Sequence, residues 1–212
     1  MSLGPEDPLS PEQFEAILRR RAPTFGREVA VDLPGAFSGY LSELDRWRRK
    51  VNLTGNLTAE ELSDHLLESL VASNLIAHGE RVVDIGSGAG FPGVPLAIAR
   101  PDLAVALVEP RAKRAAFLRH VARHLGLPRV SVVETRIEEV GGQTFGVAAT
   151  RAVGGFGSWI GDAAFLRPGG ALLAWTTEAA AVARELRGFD RVRTVPIPGS
   201  ERRVIGVFRK RD

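Results

Sequence analysis

The chain contains no cysteine, one methionine, one tyrosine and only three lysines among its 212 residues. Without cysteine there are no disulfides, no Cys-ligated zinc or iron–sulfur centre, and no mechanism that attacks through a thiolate. The four histidines show no ligand spacing, so no metal is expected. No apolar run approaches the roughly 20 residues needed to span a bilayer. The opening MSLGPEDPLS has neither a basic n-region nor an apolar h-region. These absences predict a cytoplasmic protein with no membrane partner.

At 44% apolar and 25% charged, the chain has the composition of an ordinary globular protein, long enough for one well-buried core and a small appended subdomain. Its net charge is only +3, but 25 arginines stand against 3 lysines. Arginine presents a planar fork to phosphates and guanines, which suits nucleic acid, although a GC-rich genome enriches it too. Arg19-Arg20-Arg21, Arg46-Trp47-Arg48-Arg49-Lys50, Arg111 to Arg114 and Arg209-Lys210-Arg211 are each readable as a solvated face. Taken together they are compatible with a polyanionic partner.

The first 79 residues read as a helical extension, and 80–212 as the main domain packed against it. Ser10-Pro11-Glu12-Gln13 has the N-cap, N1 proline and N3 glutamine of a capping box, predicting a helix over 11–21. Pro34 opens a second helix with Tyr40, Leu41, Leu44 and Trp47 as its apolar stripe, ended by Asn52-Leu53-Thr54-Gly55. Thr58-Ala59-Glu60-Glu61 is another capping box. After Gly79 the pattern becomes βαβα: VVDI at 82–85, VALVE at 105–109, VSVVE at 130–134 and GVAAT at 146–150 are continuous enough for buried parallel strands. Leu166 to Gly170 reads as a tight turn into ALLAW, followed by a helix ending at Gly188. VRTVPI and RVIGVFRK then flank Pro198-Gly199-Ser200-Glu201 as a hairpin at the sheet edge.

The first strand runs straight into Asp84-Ile85-Gly86-Ser87-Gly88-Ala89-Gly90. Glycines there permit positive φ and let backbone amides approach a ligand with no Cβ in the way. Glu109 ends the next strand, near the spacing at which a carboxylate accepts from ribose hydroxyls. Gly88-x-Gly90-x-x-Gly93 formally satisfies the dinucleotide fingerprint, so a nicotinamide or flavin enzyme and a purely structural glycine turn both stay open. Against a dinucleotide stand Pro92 and Pro95, which disturb the helix start that should hold a pyrophosphate. The acid two residues before the first glycine favours a ligand carrying an ammonium and a sulfonium, S-adenosylmethionine.

Several motifs then coincide. Asn52-Leu53-Thr54, HLLESL at 65–70, DIGSGAGFPGVPLAI at 84–98, LVEPRAKRAAFL at 107–118, Arg136-Ile137-Glu138-Glu139, Thr150-Arg151-Ala152 and Glu201-Arg202 together resemble the bacterial small-subunit rRNA guanine-N7 methyltransferase family, also called glucose-inhibited division protein B. The resemblance covers nearly the whole chain. It implies an α/β class I S-adenosylmethionine-dependent methyltransferase with a seven-stranded, mostly parallel Rossmann-like sheet and an N-terminal helical extension. The implied reaction is methylation at N7 of one guanine in the decoding-centre loop of 16S rRNA, by a monomer acting on 16S rRNA or a small-subunit precursor.

Carried over residue by residue, the resemblance implies that Asp84, Gly86, Ser87, Gly88, Gly90 and Phe91 line the cofactor, that Glu109 holds its ribose and that Ile137 and Glu138 flank its adenine. Arg151 is expected where cofactor and target meet, with Arg136 as a second catalytic candidate. Asn52, His65 and Arg202 are expected to serve RNA or active-site architecture. The chain departs from the family in Glu68, where Asp is commoner, and in Thr150, where Ser is. Read without the family, His65 is a packed or surface histidine, Arg136 and Arg151 pair with neighbouring glutamates, Asn52 ends a helix, and Trp47 and Trp159 are core residues.

The chemistry agrees by omission. N7 of guanine has an available lone pair, so methyl transfer needs positioning and electrostatics rather than a base or a covalent intermediate. C5-pyrimidine methylation would require a cysteine, and no Asn-Pro-Pro-Tyr or Asp-Pro-Pro-Tyr follows the fourth strand. A small-molecule methyltransferase, with the N-terminal helices as a lid, and a non-catalytic rRNA-binding assembly factor are the alternatives.

Overall fold

The computed structural model describes residues 7–26, 35–141, 144–151, 163–183 and 186–212. Seven strands form one sheet in the order β3-β2-β1-β4-β5-β7-β6. They are β1 (Arg81–Ile85), β2 (Ala104–Val108), β3 (Val130–Val133), β4 (Phe145–Arg151), β5 (Leu166–Thr177), β6 (Phe189–Pro196) and β7 (Arg203–Lys210). Only β7 runs against the rest. Parallel neighbours need crossovers that cover both faces of a sheet, which is why the central strands β1, β2 and β4 are buried almost throughout rather than alternating. Six consecutive residues of β4 are buried.

Strand order reverses between β1 and β4, the switch point at which open α/β sheets bind ligands beyond their carboxyl ends. This places the site at the tops of β1, β2 and β4. It is a class I methyltransferase architecture of the Rossmann-like type.

The helices are α1 (Pro11–Arg21), α2 (Gly35–Arg48), α3 (Ala59–Leu70), α4 (Gly93–Ala99), α5 (Ala112–His124) and α6 (Glu178–Ala183). Both capping boxes form, Ser10 with Gln13 and Thr58 with Glu61, and Arg21 pairs with Asp64 at 2.5 Å to hold α1 on α3. Phe14, Leu18, Tyr40, Leu44, Leu62 and Leu66 share one hydrophobic cluster with Val82, Leu107 and Leu118. The N-terminal helices therefore bury their stripes against one sheet face and have no core of their own. Val83, Ile85, Ala148, Leu172 and Phe208 form the cluster on the opposite face.

Three readings change. The segment expected as a tight turn at 166–170 lies within β5. There the register jumps, Leu166 pairing with Phe145 and Ala171 with Val147, so the glycines form an irregularity inside a strand. The helix expected to reach Gly188 is described over Glu178–Ala183; residues 184 and 185 lie outside the described residues, Leu186 to Gly188 are not helical, and β6 starts at Phe189. The hairpin at the sheet edge forms as expected, β6 and β7 pairing antiparallel as the outermost two strands with β7 on the inner side. Helix α2 ends at Arg48, leaving Asn52 in the following loop. Pro34, Ala152 and Trp159 lie outside the described residues. Trp47 is half-buried against Phe117 and His120.

Candidate cofactor and methyl-transfer site

The glycine loop leaves β1 and folds back over β2. Gly86, Gly88 and Gly90 adopt φ of 70°, 54° and 105°, the left-handed region that a side chain disfavours. The amides of Gly86 and Ser87 donate to the Val108 carbonyl at 2.9 and 3.1 Å. Glu109, at the top of β2, accepts from the Gly88 amide through Oε2 and from the Arg111 amide through Oε1, both at 2.9 Å. One buried carboxylate thus fixes both walls of the loop. Each oxygen keeps a lone pair for a further donor.

Asp84 is fully buried under the loop. Its Oδ2 accepts from the Gly93 amide at 3.1 Å, while Oδ1 has no hydrogen-bond partner. Burial, opposed by the bond from Gly93 and reinforced by the nearby Glu109 charge, pushes its carboxyl up to about 7. A Cβ on Gly93 would sit 2.4 Å from Leu107 and 2.7 Å from the Asp84 carboxylate, so only glycine lets α4 approach this acid. The prolines fit because Pro92 caps α4 and Pro95 falls in its first turn, where N–H groups go unpaired.

Three aromatic or charged side chains close the wall. Tyr40, from α2, donates its buried hydroxyl to the Ala89 carbonyl at 2.8 Å and meets the Phe91 ring edge-on at 5.5 Å. His65, from α3, packs edge-on to the other side of Phe91 at 5.9 Å. Arg151, at the top of β4, lies 6.0 Å from the centre of the Phe91 ring, donates to the His65 carbonyl and contacts His65 Nδ1. It also donates to Glu68 Oε2 at 2.7 Å. Glu68 is wholly buried. Burial would raise its pKa, but the His65 bond and the Arg151 and Arg203 charges hold it below the usual carboxylate range. Burial likewise lowers the pKa of Arg151, against the pull of Glu68.

These residues frame a cleft of about 420 Å³, lined by Gly86 to Ala89, Phe91, Glu109, Arg114, His65 and Arg151 and roofed by Leu53, Thr54 and Leu57. A smaller cavity of about 170 Å³ adjoins it through Gly86 and Pro110 and is lined by Ile85, Val108, Arg136, Ile137 and Glu138. Asp84, the glycine loop, Phe91, Glu109, His65 and Arg151 are therefore brought together. Arg136 lies in the smaller cavity and not beside Arg151. Asn52 shapes the roof: its Oδ1 accepts from the Gly55 amide and its carbonyl from Arg114. Arg202 is exposed, whereas its neighbour Arg203 reaches Glu68.

Tyr40, Arg114, Trp175 and Arg203 were not singled out as site residues by sequence. Tyr40 looked like one more stripe residue of α2, Arg114 was one basic residue inside the LVEPRAKRAAFL motif, and Trp175 and Arg203 carry no motif. Among the described residues, no group of three or more His, Asp or Glu is placed to hold a metal ion, and no helix is long and apolar enough to cross a membrane.

The sequence profile of the family described as rRNA small subunit methyltransferase G matches residues 35–195. The chain belongs to that family. A ribosomal RNA small subunit methyltransferase G from Myxococcus xanthus is 35% identical over 213 residues, covering 93% of this chain and 98% of that protein. One from Halorhodospira halophila is 42% identical over 151 residues, 69% of this chain and 72% of the relative. Among solved structures, a mutant of MtNAS in complex with S-adenosylmethionine superposes with a TM-score of 0.62 at 16% identity, covering 95% of this chain and 98% of that one. A SAM dependent methyltransferase from Aquifex aeolicus superposes with a TM-score of 0.58 at 14% identity, over 80% and 97% of the two chains. At these identities the two structures bear on the fold alone.

Proposed function

We propose that this member of the rRNA small subunit methyltransferase G family transfers a methyl group from S-adenosylmethionine to N7 of a guanine in the decoding-centre loop of 16S rRNA. In this reading it works as a cytoplasmic monomer on 16S rRNA or a small-subunit precursor. The observation that carries the reading is the cleft at the switch point, lined by the glycine loop, a ribose-spaced glutamate and a shielded arginine above a buried acid with an unpartnered oxygen, in a chain of this family.

The residues fit the cofactor. The orphaned Oδ1 of Asp84 and the adjoining loop suit its ammonium end, the free lone pairs of Glu109 suit a ribose diol, and Ile137 with Glu138 gives the smaller cavity an apolar face and an acceptor for an adenine. When bound, S-adenosylmethionine supplies an electrophilic methyl on a sulfonium. The protein has no proton to remove, because N7 attacks through its own lone pair. Its task is to hold acceptor and donor in line and to exclude water. Phe91 and His65 wall the apolar side, Arg151 orients the base or the carboxylate end of the cofactor, and the target base leaves its stack to enter.

The test is labelled S-adenosylmethionine incubated with the protein and small-subunit RNA from a strain lacking the gene, followed by reduction and aniline treatment. One strand break at a decoding-centre guanine is expected. Label without a break would move the acceptor atom away from N7. No label in RNA or its particle would overturn the reading.

A further inference from the structure

Beside Arg151 lies a third cavity, of about 400 Å³, walled by Glu68, Arg151, Trp175, Thr176, Thr177 and Arg203. It is within the size range of small-molecule sites. Of the residues assigned to the cofactor only Arg151 reaches it, and the glycine loop and Glu109 do not. It opens at the same edge of the sheet, because antiparallel β7 begins where parallel β5 ends: Thr177 pairs with Arg203 and Thr176 with Val204.

The charge of its wall is unbalanced. Glu68 faces two guanidinium groups, Arg151 on Oε2 at 2.7 Å and Arg203 on Oε1 at 2.5 Å, so two cations share one anion. Arg151 is only 15% exposed and consumed by Glu68 and His65, whereas the Arg203 side chain is 43% exposed. Its contact with Glu68 Oε1 lacks the alignment of a hydrogen bond, and its Nε donates to Ser200 Oγ at 3.3 Å. The excess positive charge therefore sits on an anchored fork at the cavity mouth. Trp175, a core residue only 8% exposed, donates its indole N–H to the Glu68 carbonyl at 3.2 Å and presents a narrow apolar strip of fixed ring to the cavity. An arginine fork, a fixed indole and two threonine hydroxyls match phosphate, base and sugar respectively.

We propose that this cavity holds one nucleotide of the RNA strand beside the target guanine, its base against Trp175 and its phosphate on Arg203. The inference rests on the reading of the first cleft as the methyl-transfer site. Arg151 is a wall of both cavities, so their occupants are separated by a single side chain, as successive nucleotides of an unstacked strand would be.

Three tryptophans are present, so a Trp47→Phe/Trp159→Phe protein keeps Trp175 as its sole indole reporter. Titration with hexauridylate, which contains no guanine, should quench its fluorescence saturably. Arg203→Gln should weaken that binding at least tenfold, raise KM for small-subunit RNA about tenfold, and leave KM for S-adenosylmethionine and kcat within about twofold. Arg203→Lys, which keeps the charge and loses the fork, should fall between the two. Absence of quenching while the parent protein still methylates RNA would overturn this inference and leave the proposed function standing. A fall in kcat or a raised cofactor KM in Arg203→Gln, with RNA KM unmoved, would reduce Arg203 to a prop for Glu68 and also overturn it. Quenching without any RNA methylation would instead sink the proposed reaction.

Discussion

Glu68 and Arg151, 83 positions apart, meet as an ion pair of 2.7 Å in which the carboxylate is wholly buried. The pair joins the N-terminal helices to the top of β4 and fixes the Arg151 guanidinium, which lines the methyl-transfer cleft. A buried pair is weak evidence of net stability, since desolvation offsets the attraction, but removing one partner strands the other. Glu68→Gln is thus expected to lower stability by about 3 kcal/mol and to depress methylation more than cofactor binding. Thermal unfolding and calorimetric titration of S-adenosylmethionine check the two parts separately, and an unchanged Tm would refute the first.

Arg151→Lys keeps the charge but cannot contact His65 and Glu68 at once with the same geometry. Its methylation rate should drop by at least about tenfold, equivalent to about 1.4 kcal/mol of transition-state stabilisation. Single-turnover kinetics on small-subunit RNA would read this, and wild-type rates would remove Arg151 from the chemistry.

Asp84 gives a pH dependence with a definite sign. Its folded-state carboxyl is raised from 3.8 to about 7, so the neutral form favours the fold. That stability is fully present below the unfolded pKa and is lost as pH rises towards the folded one. Between the two values wild type should lose ground to Asp84→Asn by roughly 1.4 kcal/mol per pH unit, measured by denaturant unfolding at several pH values. Cofactor affinity has the opposite slope, because a cationic ammonium favours the charged carboxylate. Binding should therefore weaken below pH 7 in wild type, and a flat wild-type profile would exclude Asp84 as its partner.

Tyr40→Phe removes only the hydroxyl that holds the Ala89 carbonyl. Leaving a buried acceptor unpaired costs about 1–3 kcal/mol. The loss should appear as a raised KM for S-adenosylmethionine with kcat for saturated enzyme largely kept, since the tyrosine braces the glycine loop and touches neither reacting atom. Equal affinity in the two proteins would show that the loop holds its shape without α2.

Gly93→Ala tests how closely α4 approaches β1. The added methyl would lie 2.7 Å from the Asp84 carboxylate and 2.4 Å from Leu107, an overpacking that costs about 1–3 kcal/mol. A drop in Tm together with weaker cofactor binding is expected. A stability equal to wild type would mean the helix shifts freely.

Much of this was legible beforehand because it is local. Apolar runs marked β1 to β4 to within one residue at either end, the two capping boxes fixed the starts of α1 and α3, and strand–glycine loop–acid spacing picked out Asp84, the loop and Glu109. Each signal is carried by a few consecutive residues whose conformational preferences survive in any context. Leu166 to Gly170 misled for the same reason: local preference favours a turn, but pairing with Phe145 and Val147 draws the segment into β5. Leu186 to Gly188 are not helical, although the helix was expected to run to Gly188, because β6 begins at Phe189 to pair with β7.

The sequence by itself determined the fold class, the place of the cofactor loop and its acid, and the exclusion of thiolate chemistry, because periodicity, glycine spacing and missing residue types are properties of the chain alone. Only the tertiary structure decided that Arg203 rather than Arg202 reaches Glu68, that Arg136 and Arg151 serve different cavities, and that a tyrosine on a core stripe holds the glycine loop. Those relationships join residues brought together by packing of the helices on the sheet and by the insertion of β7, and no short-range pattern records which side chains will then share a buried charge.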